Sequence, residues 1–208
     1  VLEALYELSR GFQAADEKGG GTLLAGAWSR DPQEIYGGLI TTLLRAVFLL
    51  YAEDRSLMPS GELYQRNYSV TGLYNQLRTD HEHHPDTMDE RFAGWPRLLA
   101  LFRAVYSGCR HRAMTLPARK GHLFDPDRFP FLEGRADSRA DIPATLPRLS
   151  DGTLYRVLSL LLYLDGERLS YRALDVEQIG SVYETIMGFR VQKADGRTIA
   201  LKPKKSHG

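Results

Sequence analysis

The chain lacks most of the features that identify a chemistry at first reading. Its single cysteine, Cys109, excludes an internal disulfide and a zinc site built from several cysteines. A lone cysteine after an aromatic helical segment is expected to be a small packing residue. No uninterrupted apolar run reaches the roughly 18 residues that cross a bilayer, because residues 39–51 contain Thr41, Thr42 and Arg45. No basic and apolar leader precedes a cleavage site, so the sequence favours a reducing cytoplasm and no membrane partner.

A dominant charge of one sign is also missing. The net charge is +1, and the 43% hydrophobic and 25% charged residues are ordinary for one large or two small globular domains. The near-zero total hides an asymmetry, because residues 190–208 hold six basic residues and one acid, which leaves residues 1–189 net acidic. A domain that wraps DNA is usually basic over a whole face. Residues 1–189 therefore do not have the composition of a general nucleic-acid-binding domain.

What the sequence does contain is helical periodicity. Asp31 is a good N-cap, Pro32 suits the first helical position, and the long apolar helix that follows is expected to be covered on several sides. Pro96 indicates that the helix around it either begins near Trp95 or is kinked. Asp195 and Gly196 predict a hairpin turn. The expected fold is mainly α, an irregular helical bundle of about six helices with a long central loop and a C-terminal β-hairpin. The predicted helices span 1–16, 31–57, 69–78, 89–107, 151–164 and 175–190, and Asp151 and Asp175 are the predicted caps of the last two.

Two acids near the end of the long helix are the first candidates for chemistry. Glu53 and Asp54 are neighbours in sequence, so their side chains point about 100° apart and do not face each other as an acid–base pair. Carboxylates are also unfavourable at a helix C-terminus. We therefore expect one of them to pair with an arginine or to hold backbone amides of the next loop. Arg45, on the same helix, is expected to be partly buried.

A histidine-rich stretch is the second candidate. His81, His83 and His84 stand among acids, but all come from one short polar segment, residues 79–87. A zinc site needs about four ligands that converge from a rigid frame. The composition therefore predicts a solvated loop, and a metal-dependent hydrolase is the weakest hypothesis.

Residues 108–148 lack periodicity and predict a long ordered loop that apolar side chains anchor to the helices. Asp125-Pro126-Asp127 predicts a turn in which an aspartate bonds its own backbone. Basic side chains in this region either touch DNA phosphates or are scattered solvated charges. The predicted anchors are Leu123, Phe124, Phe129, Phe131 and Leu132, and the basic residues are Arg110, Arg112, Arg119, Lys120 and Arg128.

Three blocks of sequence together resemble a known family. The first block is FLLYAEDRSLMP (residues 48–59), the second is GHLFDPDRFPFLE (121–133), and the third is SYRALDVEQIGSVYETIMGFR (170–190). Their order resembles the region ahead of the methyltransferase domain in fused type IIG/IIL restriction–modification enzymes. Related adenine-specific methyltransferases of the BREX and DISARM phage-defence systems are similar.

The resemblance implies a helical connector rather than a catalytic domain. The implied division is a helical connector domain over residues 1–189, followed by a β-hairpin and basic linker over 190–208 that lead to an absent methyltransferase domain. The chain has no Asn-Pro-Pro sequence, Gly19–Gly21 follows a helical pattern and predicts a turn, and no nuclease motif is convincing. We therefore expect an excised piece of a longer cytoplasmic protein.

For the parent protein the resemblance implies adenine-N6 methylation of duplex DNA with S-adenosylmethionine as cofactor. For this chain it implies no catalytic, cofactor-binding or metal-binding residue, and an intramolecular methyltransferase domain as partner. Contacts with the DNA backbone are expected from basic side chains of the loop and of the C-terminal tail. These candidates are Arg110, Arg112, Arg119, Lys120, Arg197, Lys202, Lys204 and Lys205. The alternative function is a free-standing helical protein-interaction module.

Overall fold

The computed structural model describes residues 1–137, 145–173, 177, 189–194 and 197–203, the last two ranges as backbone only. The described part is mainly helical, which confirms the predicted fold class. Its α-helices are α1 (Leu2–Lys18), α2 (Ala25–Arg30), α3 (Pro32–Asp54), α4 (Glu62–Asn67), α5 (Val70–His83), α6 (Gly94–Ser107) and α7 (Asp151–Leu162).

Three small antiparallel hairpins accompany the helices. They are formed by β1 (Cys109–His111) with β2 (Met114–Leu116), β3 (Tyr163–Leu164) with β4 (Glu167–Arg168), and β5 (Phe189–Ala194) with β6 (Arg197–Pro203). The β5–β6 pair is the predicted C-terminal hairpin, and its predicted turn, Asp195-Gly196, lies outside the described residues. The backbone of β5 lies beside α3 and that of β6 beside α1.

The long central helix α3 begins as its sequence predicts. The carboxylate of Asp31 accepts a hydrogen bond from Gln33 N at 2.9 Å, and Pro32 fills the first helical position. By length and composition α3 could cross a membrane, but 78% of its most apolar window is buried inside the protein. This burial is the pattern of the core helix of a soluble domain.

α3 ends at Asp54, three residues before the predicted end. Ser56 adopts a left-handed backbone with φ of 56°, and Leu57 N reaches back to Ala52 O at 2.8 Å. This closing turn satisfies a terminal carbonyl of the helix. The helix therefore stops before Leu57, which is exposed.

The core is centred on aromatic side chains that meet edge to face. Phe12 of α1 contacts Trp95 of α6 at 5.3 Å and Phe131 at 5.8 Å between ring centroids. All three rings are at most 1% exposed, and Trp95 Nε1 donates to Leu132 O at 3.1 Å. Such pairs stabilise by about 0.5–1.5 kcal/mol beyond the area that they bury. Cys109 packs partly buried against this core, as predicted.

Several boundaries differ from the prediction. α2 and α4 lie in stretches between the predicted helices, and α5 continues to His83 instead of ending at residue 78. Polar residues continue α5 because they pair along its surface, as Arg78 does with Glu82 at 3.6 Å. α6 begins at Gly94 with Pro96 in its first turn, where no intrahelical N–H bond is lost, so the unkinked alternative holds.

The cap of α7 was predicted one residue late. Ser150 is the cap, and its hydroxyl accepts a hydrogen bond from Thr153 N at 3.1 Å. Asp151 instead accepts from Gly94 N at 2.7 Å and joins the N-termini of α6 and α7. Of the helix predicted over 175–190, Glu177 is helical, but the prediction is wrong at its end, because Phe189 and Arg190 begin β5. The predicted cap Asp175 lies outside the described residues.

The predicted loop 108–148 contains more regular structure than expected, namely β1, β2 and a 3₁₀ turn at Pro130–Glu133. Gly134 ends this turn with φ of 72°, and a Cβ there would meet Thr145 O at 2.0 Å. Only glycine fits so close an approach in a left-handed conformation. The two chain positions 134 and 145 are therefore in direct backbone contact. The predicted glycine turn at 19–21 is also confirmed, with Gly21 N donating to Asp16 O at 2.8 Å.

Candidate functional site: a buried clamp on the central helix

Arg45 is the most deeply buried charged side chain of α3, at 3% exposure. Its Nε donates to Leu123 O at 2.5 Å and its terminal nitrogen donates to Asp125 O at 2.9 Å. The guanidinium also lies over the rings of Phe102 and Phe124, at 5.2 and 5.9 Å. Burial lowers the pKa of Arg45 to about 10, so the group is still protonated at neutral pH. A buried cation thereby fixes the second block on α3, and the predicted burial is confirmed.

Aromatic side chains of the second block pack directly against two glycines of α3. A Cβ at Gly38 would come within 2.4 Å of the Phe131 ring, and one at Gly37 within 2.9 Å of Phe129. Glycine in a helix interior costs about 1 kcal/mol relative to alanine. The close approach of the loop explains why α3 carries two of them. Four of the five predicted anchors are buried, and Leu123 is half-buried.

The end of the second block holds a second buried charge. Glu133, at 6% exposure, accepts two hydrogen bonds from Arg103, at 2.7 and 2.5 Å, and one from Arg135 at 3.1 Å. The bond with Glu133 raises the pKa of Arg103. Asp127 N donates to the Asp125 carboxylate at 2.9 Å, which confirms the predicted turn. These bonds make the loop a fixed part of the domain.

Glu53 holds the start of α5. Its two carboxylate oxygens accept from the backbone amides of Val70 and Thr71, from the Thr71 hydroxyl and from the Tyr64 hydroxyl, at 2.7 to 3.0 Å. An anion at a helix N-terminus is favourable because the first amides have no partner within the helix. The predicted role of an acid that holds backbone amides is confirmed, and it offsets the poor position of Glu53 at the end of α3. Burial raises the pKa of Tyr64, which keeps this hydroxyl a donor.

Asp54 holds a different segment. Its carboxylate accepts from Tyr171 N at 2.9 Å, at the start of the third block, and the Tyr171 hydroxyl donates to Leu161 O at 2.8 Å. Arg55 donates to Arg172 O at 3.2 Å beside it. We call Arg45, Glu53, Asp54 and the segments that they bind the α3 clamp.

The chemistry that the clamp supports is structural. Each oxygen of Glu53 already accepts two hydrogen bonds, so the carboxylate has little capacity left to act as a general base. The cavity beside Glu53 and Asp54 has a volume of only about 190 Å³. This is below the usual 300–1,000 Å³ of small-molecule sites.

The histidine-rich segment is divided between two environments. His81 stacks on Tyr155 with 4.5 Å between ring centroids, whereas His83 and His84 are exposed at the end of α5. The prediction of a loop was wrong for His81 and His83, which belong to α5. Within the ranges that the structure describes, no three His, Cys, Asp or Glu side chains are grouped so that they could hold a metal ion.

The predicted DNA-contacting residues fall into two places. Arg110 and Arg112 lie on the β1–β2 hairpin, and Arg119 and Lys120 follow it, with their amides bonded to Val105 O and Tyr106 O at the end of α6. All four are exposed, and none of them forms an ion pair in the described part of the chain. We call these four residues the basic hairpin surface. Arg197 and Lys202 lie on β6, where Lys202 is the register partner of Arg190, and Lys204 and Lys205 lie outside the described residues.

Sequence reasoning missed partners that are distant in the chain. Arg97 binds the carbonyls of Arg66 and Asn67 and the side chain of Gln76, and burial lowers the pKa of Arg97. Asp16, at 3% exposure, accepts from Leu24 N at 3.0 Å and fixes the chain between α1 and α2. In the sequence, such a contact is indicated only by a polar residue at an apolar position of a helical pattern, as at Asp16.

Comparisons with protein-family models, with curated proteins and with solved structures gave no match.

Proposed function

We propose that this chain is the helical connector of a fused, restriction–modification type adenine-N6 DNA methyltransferase, and that it positions neighbouring domains on DNA. The three sequence blocks that resemble this family are far apart in the chain. In the fold, two of them contact the first directly. Phe124 of the second block meets Phe48 of the first at 5.6 Å, and Tyr171 of the third donates its amide to Asp54 of the first. This convergence on the end of α3 is the observation that carries the proposal.

The clamp is suited to a mechanical task. A connector that sets the distance between two domains must not change shape under load, and bonds from buried charges to backbone groups restrict the segments that they hold. Arg45 fixes the long loop, Glu53 fixes α5, and Asp54 fixes the segment that leads toward the C-terminal hairpin. One helix thus orients three parts of the chain.

The basic hairpin surface is suited to contact DNA phosphates. Four exposed cations that form no ion pair with a described acid keep their charge available, and phosphate contacts position a protein without reading sequence. Arg197, Lys202, Lys204 and Lys205 extend the proposed contact toward the methyltransferase domain. This domain would supply the S-adenosylmethionine site and the catalytic residues, and it would act on an adenine flipped out of the duplex. The parent protein is proposed to be cytoplasmic and to serve in phage defence.

The first experiment tests whether cofactor binding and methyl transfer belong to the proposed methyltransferase domain and not to this chain. We expect the product of the full gene to transfer tritiated methyl groups from S-adenosylmethionine to duplex DNA. We expect the 208-residue chain alone to show no heat of S-adenosylmethionine binding by calorimetry. Micromolar binding of S-adenosylmethionine to this chain would contradict the connector role.

The second experiment tests the DNA contact in the full-length product. Changing Arg110, Arg112, Arg119 and Lys120 to Gln removes four positive charges. Each lost phosphate contact is expected to reduce the slope of log K against log salt by about 0.9. The control changes three exposed arginines, Arg10, Arg66 and Arg78, to Gln; they already pair with acids on their own helices. An unchanged salt dependence in the first variant would contradict the DNA contact.

A free-standing protein-interaction module is the second candidate. Large apolar side chains favour it, because Phe48, Leu57 and Leu164 are 46 to 61% exposed. Sedimentation velocity of the 208-residue chain separates the two functions. A monomer at all concentrations supports the connector, and a dimer that dissociates on changing Leu57 and Leu164 to Ser supports the module.

A further inference from the structure

A second cavity lies away from the clamp, between the end of α1, α2 and the segments 131–136 and 145–148. Its volume is about 570 Å³, within the usual range of small-molecule sites. The basic hairpin surface contributes no residue to its described lining, and of the segments that the clamp binds only Phe131 of the second block lines it. We call it the α1–α2 cleft.

Among the described residues that line the α1–α2 cleft, the charged side chains are all basic: Lys18, Arg135 and Arg148. Arg135 is already bound to Glu133 and Asp127. Lys18 and Arg148 form no ion pair within the described ranges, and both are exposed, with Phe92 at 5.1 and 4.4 Å from their charged groups. Because both cations line the cleft, an anion bound in it would be attracted by both charges.

Two acids of an adjoining cavity, which also includes Lys18 and Arg148, have other partners. Asp89 accepts from the Ser150 hydroxyl at 2.8 Å and pairs with Arg156 at 3.3 Å. Glu7 pairs with Arg10 and Arg156. Neither cation of the cleft therefore pairs with these acids, and both can bind an anionic ligand.

The rest of the cleft wall is largely apolar. Leu23 and Leu146 line it together with the buried Phe131, and Leu146 is 41% exposed. A site that combines an apolar wall with a few convergent polar groups is suited to a ligand with an apolar body and one charged end. A bare inorganic anion would leave this wall uncovered.

We propose that the α1–α2 cleft binds a small organic phosphate, with the phosphate at Lys18 and Arg148 and the apolar or aromatic body against Leu23 and Leu146. Binding at this site does not depend on the connector role. It gives the chain a ligand that the proposed DNA contact does not provide.

Calorimetry with the 208-residue chain tests the site with phenyl phosphate, adenosine 5′-monophosphate and inorganic phosphate as probes. We expect the two organic phosphates to bind with Kd below about 1 mM and inorganic phosphate to bind about tenfold more weakly. No binding of either organic phosphate at about 10 mM overturns the proposal. Equal affinity for inorganic and phenyl phosphate overturns it too, because the apolar wall would then contribute nothing.

Variants locate the binding. Changing Lys18 and Arg148 to Gln should weaken the organic phosphates about tenfold or more. The matched control, Arg168→Gln with Arg172→Gln, removes two exposed cations outside the cleft that form no ion pair with a described acid, and it should leave Kd within about twofold. Leu146→Ser should weaken phenyl phosphate but not inorganic phosphate. Equal losses of phosphate affinity in the cleft variant and in the control overturn the proposed site. An unchanged salt dependence of DNA binding would contradict the connector's DNA contact but would not affect these results.

Discussion

The α3 clamp and the basic hairpin surface use charged side chains in opposite ways. Arg45 donates its hydrogen bonds to backbone carbonyls, and Glu53 accepts hydrogen bonds from amides and hydroxyls of the same chain. Arg110 and Arg112 are exposed and form no ion pair with a described acid. A charge whose capacity is used internally contributes to stability, whereas a solvated charge is available to a partner. Stability and binding measurements should therefore separate the two regions.

The largest loss of stability is expected from Arg45→Met. The change leaves the carbonyls of Leu123 and Asp125 without their buried donor, which should lower the free energy of unfolding by about 3 kcal/mol. Urea denaturation measures the effect. Arg66→Met is the control, because Arg66 is exposed and should change stability by less than about 0.5 kcal/mol. Equal losses of stability in the two variants would contradict the stabilising role of Arg45.

Glu53→Gln should lower the free energy of unfolding by about 2 kcal/mol. The amide keeps the shape of the carboxylate, but its nitrogen replaces one of the two accepting oxygens. Two of the four donors therefore lose their acceptor, either the Val70 amide with the Tyr64 hydroxyl or the Thr71 amide with its hydroxyl. Hydrogen exchange of the Val70 and Thr71 amides should accelerate more than exchange in α7. Glu62→Gln is the matched control, because Glu62 is exposed. Uniform acceleration through the domain would indicate global destabilisation only.

Gly38→Ala should lower the free energy of unfolding by about 1–3 kcal/mol, even though alanine is the better helix former. The new methyl group would meet Phe131, which is 1% exposed and cannot move into solvent without opening the core. Gly121→Ala is the control, since its nearest neighbour is 4.0 Å away. A stabilised Gly38→Ala variant would mean that the loop does not rest on α3.

The smallest effect on stability is expected where the charges are exposed. Changing the four cations of the basic hairpin surface to Gln should alter the free energy of unfolding by less than about 0.5 kcal/mol. The same variant should change the salt dependence of DNA binding, as described above. A large loss of stability in this variant would show that the basic hairpin surface, like the clamp, contributes to folding.

The sequence predicted these regions unequally. The cap at Asp31, the burial of Arg45 and the apolar anchors of the loop follow from local pattern, and the structure confirms them. The pattern also predicted that one of the two acids at the end of α3 pairs with an arginine or holds backbone amides, and Glu53 holds amides. The partners themselves could not be predicted, because Arg97 and Glu133 meet groups about 30 residues away in the chain.

Helix limits were missed for a related reason. Polar residues 79–83 can form a loop or a final helical turn, and pairing along α5 favours the turn. Ser150 and Asp151 are both good caps, and only the nearby Gly94 amide assigns Asp151 another role. The arrangement of the basic residues had no pattern to reveal it, because exposed loop charges impose no periodicity.

The backbone contact between Gly134 and Thr145 has an evolutionary consequence. A side chain at position 134 would occupy the place of Thr145 O, and the left-handed backbone there disfavours every residue but glycine. Related chains should therefore keep glycine at this position, and Gly134→Ala should lower the melting temperature in a thermal denaturation experiment.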